Sequence, residues 1–141
     1  MLEVKKADGR GLGLFATENI KAGAVVIRFE GEVIPYSQCP AKEKEYILLI
    51  GGGYGIIPRN EARFANHSCD PNCEVFGEHL IAIKNVPKGN ELTFDYCLLD
   101  GDEKYKWDDA WTFECKCGSP KCRKALDKFV YKKSEAIKSQ R

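Results

Sequence analysis

The sequence predicts a mainly β domain made of several small sheets with short helices. Three observations carry this. Short runs of β-branched and other apolar residues alternate with glycine-rich turns through the first two-thirds of the chain. Only one segment, near the C-terminus, has helical apolar spacing. Cysteines crowd a short loop just before that segment, so a loop held by metal is expected beside the sheets.

In chain order, Leu12, Leu14 and Phe15 lie in and after the run Gly9-Arg10-Gly11-Leu12-Gly13 and suit a strand. Lys21 to Gly23 reads as a turn before the β-rich run Ala24 to Ile34. Pro35 to Pro40 breaks that run. Ala41 to Ile50 starts like a helix, while Tyr46 to Ile50 suits a buried strand. Gly51 to Gly53 is a flexible turn, Tyr54 to Ile57 and Leu80 to Ile83 are strands, and Val86 to Gly89 is a turn. Lys121 to Lys138 reads as a helix with Leu126, Phe129, Val130 and Ile137 on one stripe. There is no internal repeat, low-complexity segment or heptad. The chain turns acidic and polar at Asp100 to Asp109, a mild boundary before the cysteines.

A chain of 141 residues suits one compact domain. No apolar run approaches the roughly 18 residues of a membrane span, so no membrane partner is expected. Met1 to Lys6 lacks the apolar core of a secretory signal, and an intracellular site, cytosol or nucleus, is expected. Seven cysteines in a reducing compartment bind metal more often than they pair. The net charge of +1 hides an asymmetry: residues 121–141 hold eight Lys/Arg and two Asp/Glu, and residues 95–114 hold seven acidic residues against Lys104 and Lys106. Such an acidic stretch suits a basic peptide; a solvated face is the plainer alternative.

Three segments carry chemistry. Arg63-Phe64-Ala65-Asn66-His67-Ser68-Cys69-Asp70-Pro71-Asn72 is followed by Glu91-Leu92-Thr93-Phe94-Asp95-Tyr96. Cys115-Lys116-Cys117-Gly118-Ser119-Pro120-Lys121-Cys122 comes last and offers three thiolates from one loop. A structural zinc takes four ligands, so a fourth must come from elsewhere. The early glycine run does not fit a dinucleotide fingerprint: its third glycine comes one position early, and no βαβ unit surrounds it.

Together and in this order, these segments resemble the SET-domain protein lysine methyltransferases over about residues 2–124. The resemblance implies a SET domain over 2–100 with a C-terminal pseudoknot, a post-SET zinc module over 111–127, and a basic tail over 128–141, read as helical. It implies S-adenosyl-L-methionine as methyl donor and one structural zinc bound by Cys69, Cys115, Cys117 and Cys122, with Cys73 as competitor for the fourth place. Cofactor contacts would come from the backbone of Arg10, Gly11, Leu12 and Gly13, from Asn66, and from His67 through its backbone. A His beside a Cys also suggests a metal ligand or a nucleophile pair.

Tyr96 would be the catalytic tyrosine. Methyl transfer from a sulfonium to an amine is an in-line displacement, which needs alignment and no covalent intermediate. Tyr46 would line the channel and touch the cofactor, with Tyr54 as rival. Phe94 occupies the position that sets how many methyl groups are added. Trp107, Trp111 and Phe113 sit where the family's aromatic lid closes. The substrate implied is a basic protein segment, with a histone tail foremost, and the basic tail could touch nucleosomal DNA. Two departures from larger members of the family are read: no cysteine precedes Cys39, so no pre-SET cluster is expected in this sequence, and the insert between Tyr36 and Tyr54 is small.

Overall fold

The computed structural model describes residues 1–7, 11–99 and 106–131. Strands β1 (Leu2–Lys6) and β2 (Leu12–Ala16) form an antiparallel pair with Leu2 opposite Ala16. The β-rich run splits into β3 (Val25–Arg28) and β4 (Gly31–Pro35), because Phe29 turns into the core between them. Single 3-10 turns follow at Tyr36–Gln38 and Ala41–Glu43. Strands β5 (Leu48–Gly51) and β6 (Tyr54–Pro58) are joined by a turn with φ of 100°, 64° and 83° at Gly51, Gly52 and Gly53. Only glycine enters that region without steric cost, which explains the triplet. Tyr46 lies in the turn ahead of β5, so the expected strand begins two residues later than Tyr46.

A 3-10 turn at Glu61–Phe64 leads into β7 (Asn66–His67). Then come β8 (Cys73–Phe76), β9 (His79–Ala82) and β10 (Glu91–Phe94). After β11 (Leu98–Leu99) and a 3-10 turn at Asp109–Trp111 come β12 (Phe113–Glu114), β13 (Ala125–Leu126) and β14 (Val130–Tyr131). The strands form one four-stranded sheet in the order β1-β2-β10-β7, two three-stranded sheets, β3-β9-β8 and β4-β6-β5, and two short pairs, β11-β14 and β12-β13. This is the mainly β architecture of small sheets that the sequence predicts.

Leu14, Ile56, Leu80, Val86 and Leu92 are fully buried and pack with Phe29 and Cys73 into the main core. A smaller cluster unites Cys69, Cys97, Cys115 and Leu126, with Trp107 and Val130 against it. The main core holds the sheets, and the small one holds the C-terminal segment onto them.

The helix expected from Lys121 to Lys138 is not formed in its described part. Leu126 pairs with Phe113 across β12-β13, and Leu98 pairs in parallel with Val130. Lys124 takes a left-handed φ of 69°, which ends any helical path there. Leu126 and Val130 of the apolar stripe seal the cysteine cluster instead. Residues 132–138 lie outside the described residues, as do Arg10 and Asp100 to Tyr105.

Candidate active site

The site begins with β7 and β10, which run parallel with Asn66 opposite Thr93 and His67 opposite Phe94. This pairing sets the Asn-His segment beside the chain leading to Tyr96, the adjacency that the resemblance implies. Asn72 fastens the two motifs together. Its Nδ2 donates to the Glu91 carbonyl at 2.8 Å, and its Oδ1 accepts from the Thr93 N–H at 3.0 Å.

Tyr96 is held at both ends. Its N–H donates to Nδ1 of buried His67 at 3.1 Å, and its hydroxyl donates to the Ala65 carbonyl at 2.6 Å. Its ring lies 4.8 Å from Phe94, 5.4 Å from His67 and 6.1 Å from Phe113, centre to centre. The hydroxyl hydrogen is committed to Ala65, so toward a ligand the oxygen can act only as an acceptor.

Two cavities meet at this residue. One of about 540 Å³ is lined by Phe29, Tyr46, Phe94, Trp107 and Trp111 among others. Another of about 230 Å³ is lined by His67, Glu114, Cys115 and Cys117. Asn66, Tyr96 and Phe113 line both.

Asn66 spends its Nδ2 on the Leu12 carbonyl at 2.9 Å and on Glu91 Oε2 at 2.8 Å. What it offers a ligand is therefore its acceptor oxygen, which suits an ammonium group. Gly13 is part of this arrangement: a Cβ there would come within 3.2 Å of Asn66 Nδ2 and would run into Glu91. The glycine thus permits the Asn66–Glu91 contact. Gly11 and Leu12 line neither cavity, though Leu12 is tied to Asn66 through its carbonyl.

Of the two rival tyrosines, Tyr46 lines the larger cavity and Tyr54 lines neither. Tyr46 packs under Arg63, whose guanidinium lies 3.8 Å from the ring centre. Arg63 donates in turn to both oxygens of Glu43, at 2.9 and 3.3 Å, and Arg59 adds a bond of 3.0 Å. Hydrogen bonds from Arg63 hold the Glu43 carboxyl below its ordinary pKa. Glu43 was not legible as a site residue, since nothing in its spacing marks it.

The four sulfurs of Cys69, Cys115, Cys117 and Cys122 all lie within 4.8 Å of one another. The Cys69 and Cys115 sulfurs are 3.8 Å apart. A tetrahedron with bonds of about 2.3 Å has edges of about 3.8 Å, so this donor set fits zinc. Cys73 is elsewhere, completely buried in the main core, where burial pushes its thiol up to about 12. His67 Nε2 is 3.3 Å from the Cys69 sulfur. The ring thus stands next to the cluster, with its other nitrogen accepting from Tyr96.

Two polar contacts tie the C-terminal segment to the sheets, and sequence reading found neither. Arg123 donates to both oxygens of Asp95 at 2.8 and 2.9 Å. Tyr36 donates its hydroxyl to Asp108 at 2.6 Å, and Lys44 donates to the same oxygen at 3.0 Å. The Tyr36 bond, helped by the Ala110 N–H and Lys44, lowers Asp108 to about 2, and burial with this carboxylate beside it raises the Tyr36 phenol. Trp111 packs on Tyr36 with ring centres 5.1 Å apart, and Trp107, Trp111 and Phe129 pack on one another. Among the described carboxylates of residues 95–114, Asp95 and Asp108 have internal partners, leaving fewer to attract a basic peptide than the sequence suggests.

Among the described residues, no helix is long and apolar enough to cross a membrane. The SET domain family model matches residues 11–97. Histone-lysine N-methyltransferase trithorax of Drosophila melanogaster is 35% identical over 136 residues, covering 83% of this chain and 3% of that protein. The H3 lysine-9 specific histone-lysine N-methyltransferase dim-5 of Neurospora crassa is 33% identical over 167 residues, covering 86% of this chain and 50% of that protein. The chain thus spans half or less of these relatives. A crystal structure of KRYPTONITE in complex with mCHH DNA, H3(1-15) peptide and SAH superposes with a TM-score of 0.67 at 30% identity, covering 89% of this chain and 29% of that one.

Proposed function

This chain belongs to the SET-domain family, and on that premise we propose that it transfers methyl groups from S-adenosyl-L-methionine to the side-chain amine of a protein lysine, in a histone tail. The observation that carries the reading is Tyr96, which stands where two cavities meet and has its hydroxyl hydrogen committed to Ala65. The donor supplies an electrophilic methyl group on a sulfonium. The chain supplies alignment, which is worth several kcal/mol, roughly, when reacting atoms are held in line.

The smaller cavity, beside Asn66 and His67, takes the donor in this reading. The Asn66 oxygen accepts from its ammonium group, and Phe113 and His67 flank its base. In this reading the backbone of Gly11 to Gly13, tied to Asn66 through the Leu12 carbonyl, also contacts the donor. The larger cavity takes the lysine and its peptide, with Tyr46, Phe94 and Trp111 along the wall. At the junction the Tyr96 oxygen accepts an amine N–H and so turns the nitrogen lone pair toward the methyl group. The amine must be neutral to react, and the nearby positive charge of the donor favours that form.

Residues 111–127 serve as a post-SET module in this reading, with one zinc on Cys69, Cys115, Cys117 and Cys122. The basic residues of 128–141 are candidates for contact with nucleosomal DNA. Histone is the favoured substrate because the relatives named above are histone-lysine methyltransferases and a structural neighbour holds an H3 peptide. An intracellular, nuclear setting follows from such a substrate.

The test uses donor labelled on the methyl group with a panel of histone and unrelated lysine peptides, read by mass spectrometry. Wild-type chain should label lysine, and Tyr96→Phe should keep fold and donor binding while losing about 100-fold in rate. Absence of label on every peptide with zinc-loaded chain would overturn the reading.

A further inference from the structure

The Asp95–Arg123 pair lies on neither of the assigned chemical roles, yet it joins them. Asp95 immediately precedes Tyr96, and Arg123 immediately follows Cys122. The Asp95 side chain is 8% exposed, and its Oδ1 also accepts from the Cys97 N–H at 3.0 Å. The Arg123 N–H points to the Cys69 sulfur at 3.4 Å. One residue therefore touches the cysteine cluster with its backbone and the tyrosine strand with its side chain. A bidentate guanidinium–carboxylate pair fixes orientation as well as distance, which a single ammonium contact does not. A second link runs from Cys69 through the His67 ring to the Tyr96 N–H, so the tyrosine backbone is bracketed by two connections to the same cluster.

We propose that Arg123 is a positioning residue for Tyr96, acting through Asp95, and that it makes the alignment of Tyr96 depend on an ordered four-cysteine site. The proposal rests on the methyl-transfer reading for its kinetic part and on the Arg123 contacts to Asp95 and Cys69 for its structural part. A zinc that merely stapled the C-terminal segment would need the cysteines and no Asp95 contact. Here the last cysteine of the loop is followed by a residue that carries the order of the cluster toward the reacting side chain.

The experiment compares wild-type chain with Arg123→Gln and Arg123→Lys, all zinc-loaded. Zinc content, donor affinity by calorimetry, peptide KM and kcat, and the amide resonance of Tyr96 by NMR are measured. Arg123→Gln should retain one zinc per chain and bind donor within about twofold of wild type, with kcat down about tenfold and peptide KM little changed. Arg123→Lys should recover part of kcat. The Tyr96 amide should shift in Arg123→Gln and move the same way when zinc is withdrawn from wild type. If kcat and the Tyr96 amide stay at wild-type values in Arg123→Gln, or if zinc is lost and kcat falls only in step with the zinc-free fraction, the proposal is overturned. If wild type methylates nothing while the Tyr96 amide responds as described, the methyl-transfer reading fails and the structural coupling stands.

Discussion

The guanidinium of Arg63 sits over the Tyr46 ring, 3.8 Å from its centre, while its two terminal nitrogens grip the buried carboxylate of Glu43. The contact turns an aromatic that belongs to no strand into a fixed wall of the larger cavity. It also gives the first residue of the Arg-Phe-Ala-Asn-His segment a task distinct from that of Asn66 and His67: it holds the opposite side of the site.

Arg63→Ala should destabilise the domain by about 3 kcal/mol, because it leaves the Glu43 charge short of its main partner in a buried place. Arg63→Lys should recover only part of this, since an ammonium cannot both stack and bind two oxygens. Urea unfolding of the three proteins tests it, and equal midpoints for wild type and Arg63→Ala would remove the network as a support.

Asp108 gives a pH dependence with a definite sign. Its folded pKa, about 2, lies below the ordinary carboxyl value. Its contribution is thus complete above the unfolded value of about 3.9 and is lost as pH falls toward the folded one. Acidification should release Trp111 from Tyr36 in that window, seen as a change in tryptophan fluorescence. Asp108→Asn should lack this step, and an identical titration in that variant would assign it to another group.

Cys69→Ser should abolish binding of one zinc per chain, and Cys73→Ser should leave the metal in place. The second variant places a hydroxyl in the main core and should cost about 1–2 kcal/mol in stability. Metal analysis beside thermal unfolding separates the two effects. Loss of zinc from Cys73→Ser with retention in Cys69→Ser would reverse the ligand assignment.

Phe94 packs on Phe29 and on Tyr96, with ring centres 5.9 and 4.8 Å away, and so borders the junction of the cavities without offering a hydroxyl. The product should include more than monomethyl-lysine, and Phe94→Tyr should shift it toward monomethylation by filling that space with a polar group. The ratio of products by mass spectrometry decides, and an unchanged ratio would free Phe94 of this role.

The salt dependence of the rate should be shallower than the raw count of carboxylates in residues 95–114 suggests, because Asp95 and Asp108 already have cationic partners. Rates on a histone peptide and on a neutral lysine peptide across a salt series test this. A steep salt effect confined to the histone peptide would show that the remaining carboxylates suffice.

The residues with chemical roles were legible because they come as contiguous segments in a fixed order: Asn66-His67, Phe94-Asp95-Tyr96 and the three late cysteines. The residues that brace them were not. Glu43 meets Arg63 across 20 positions, Asp95 meets Arg123 across 28, and Tyr36 meets Asp108 across 72. Such pairs have no periodicity, and a charged residue in isolation reads as surface. The described part of the late helix failed for a related reason. Leu126 and Val130 have helical spacing, yet the cluster around Cys69 and Cys115 claims them for two short strands. Local propensity is a weak prior against tertiary burial.

The two-residue parallel ladder between β7 and β10 also governs how the molecule can assemble. The two-residue β7 sits at the end of its sheet and must wait for β10, with β8 and β9 lying between them in sequence. The last strand of the small cluster, β14, closes in parallel on β11 from still farther along the chain. Contacts of such long sequence separation impose slow, cooperative folding, because loop closure comes before any reward from pairing. A chain emerging during synthesis therefore has no half-built version of this site: the pieces that would react become neighbours only when nearly all of the described polypeptide has taken its place.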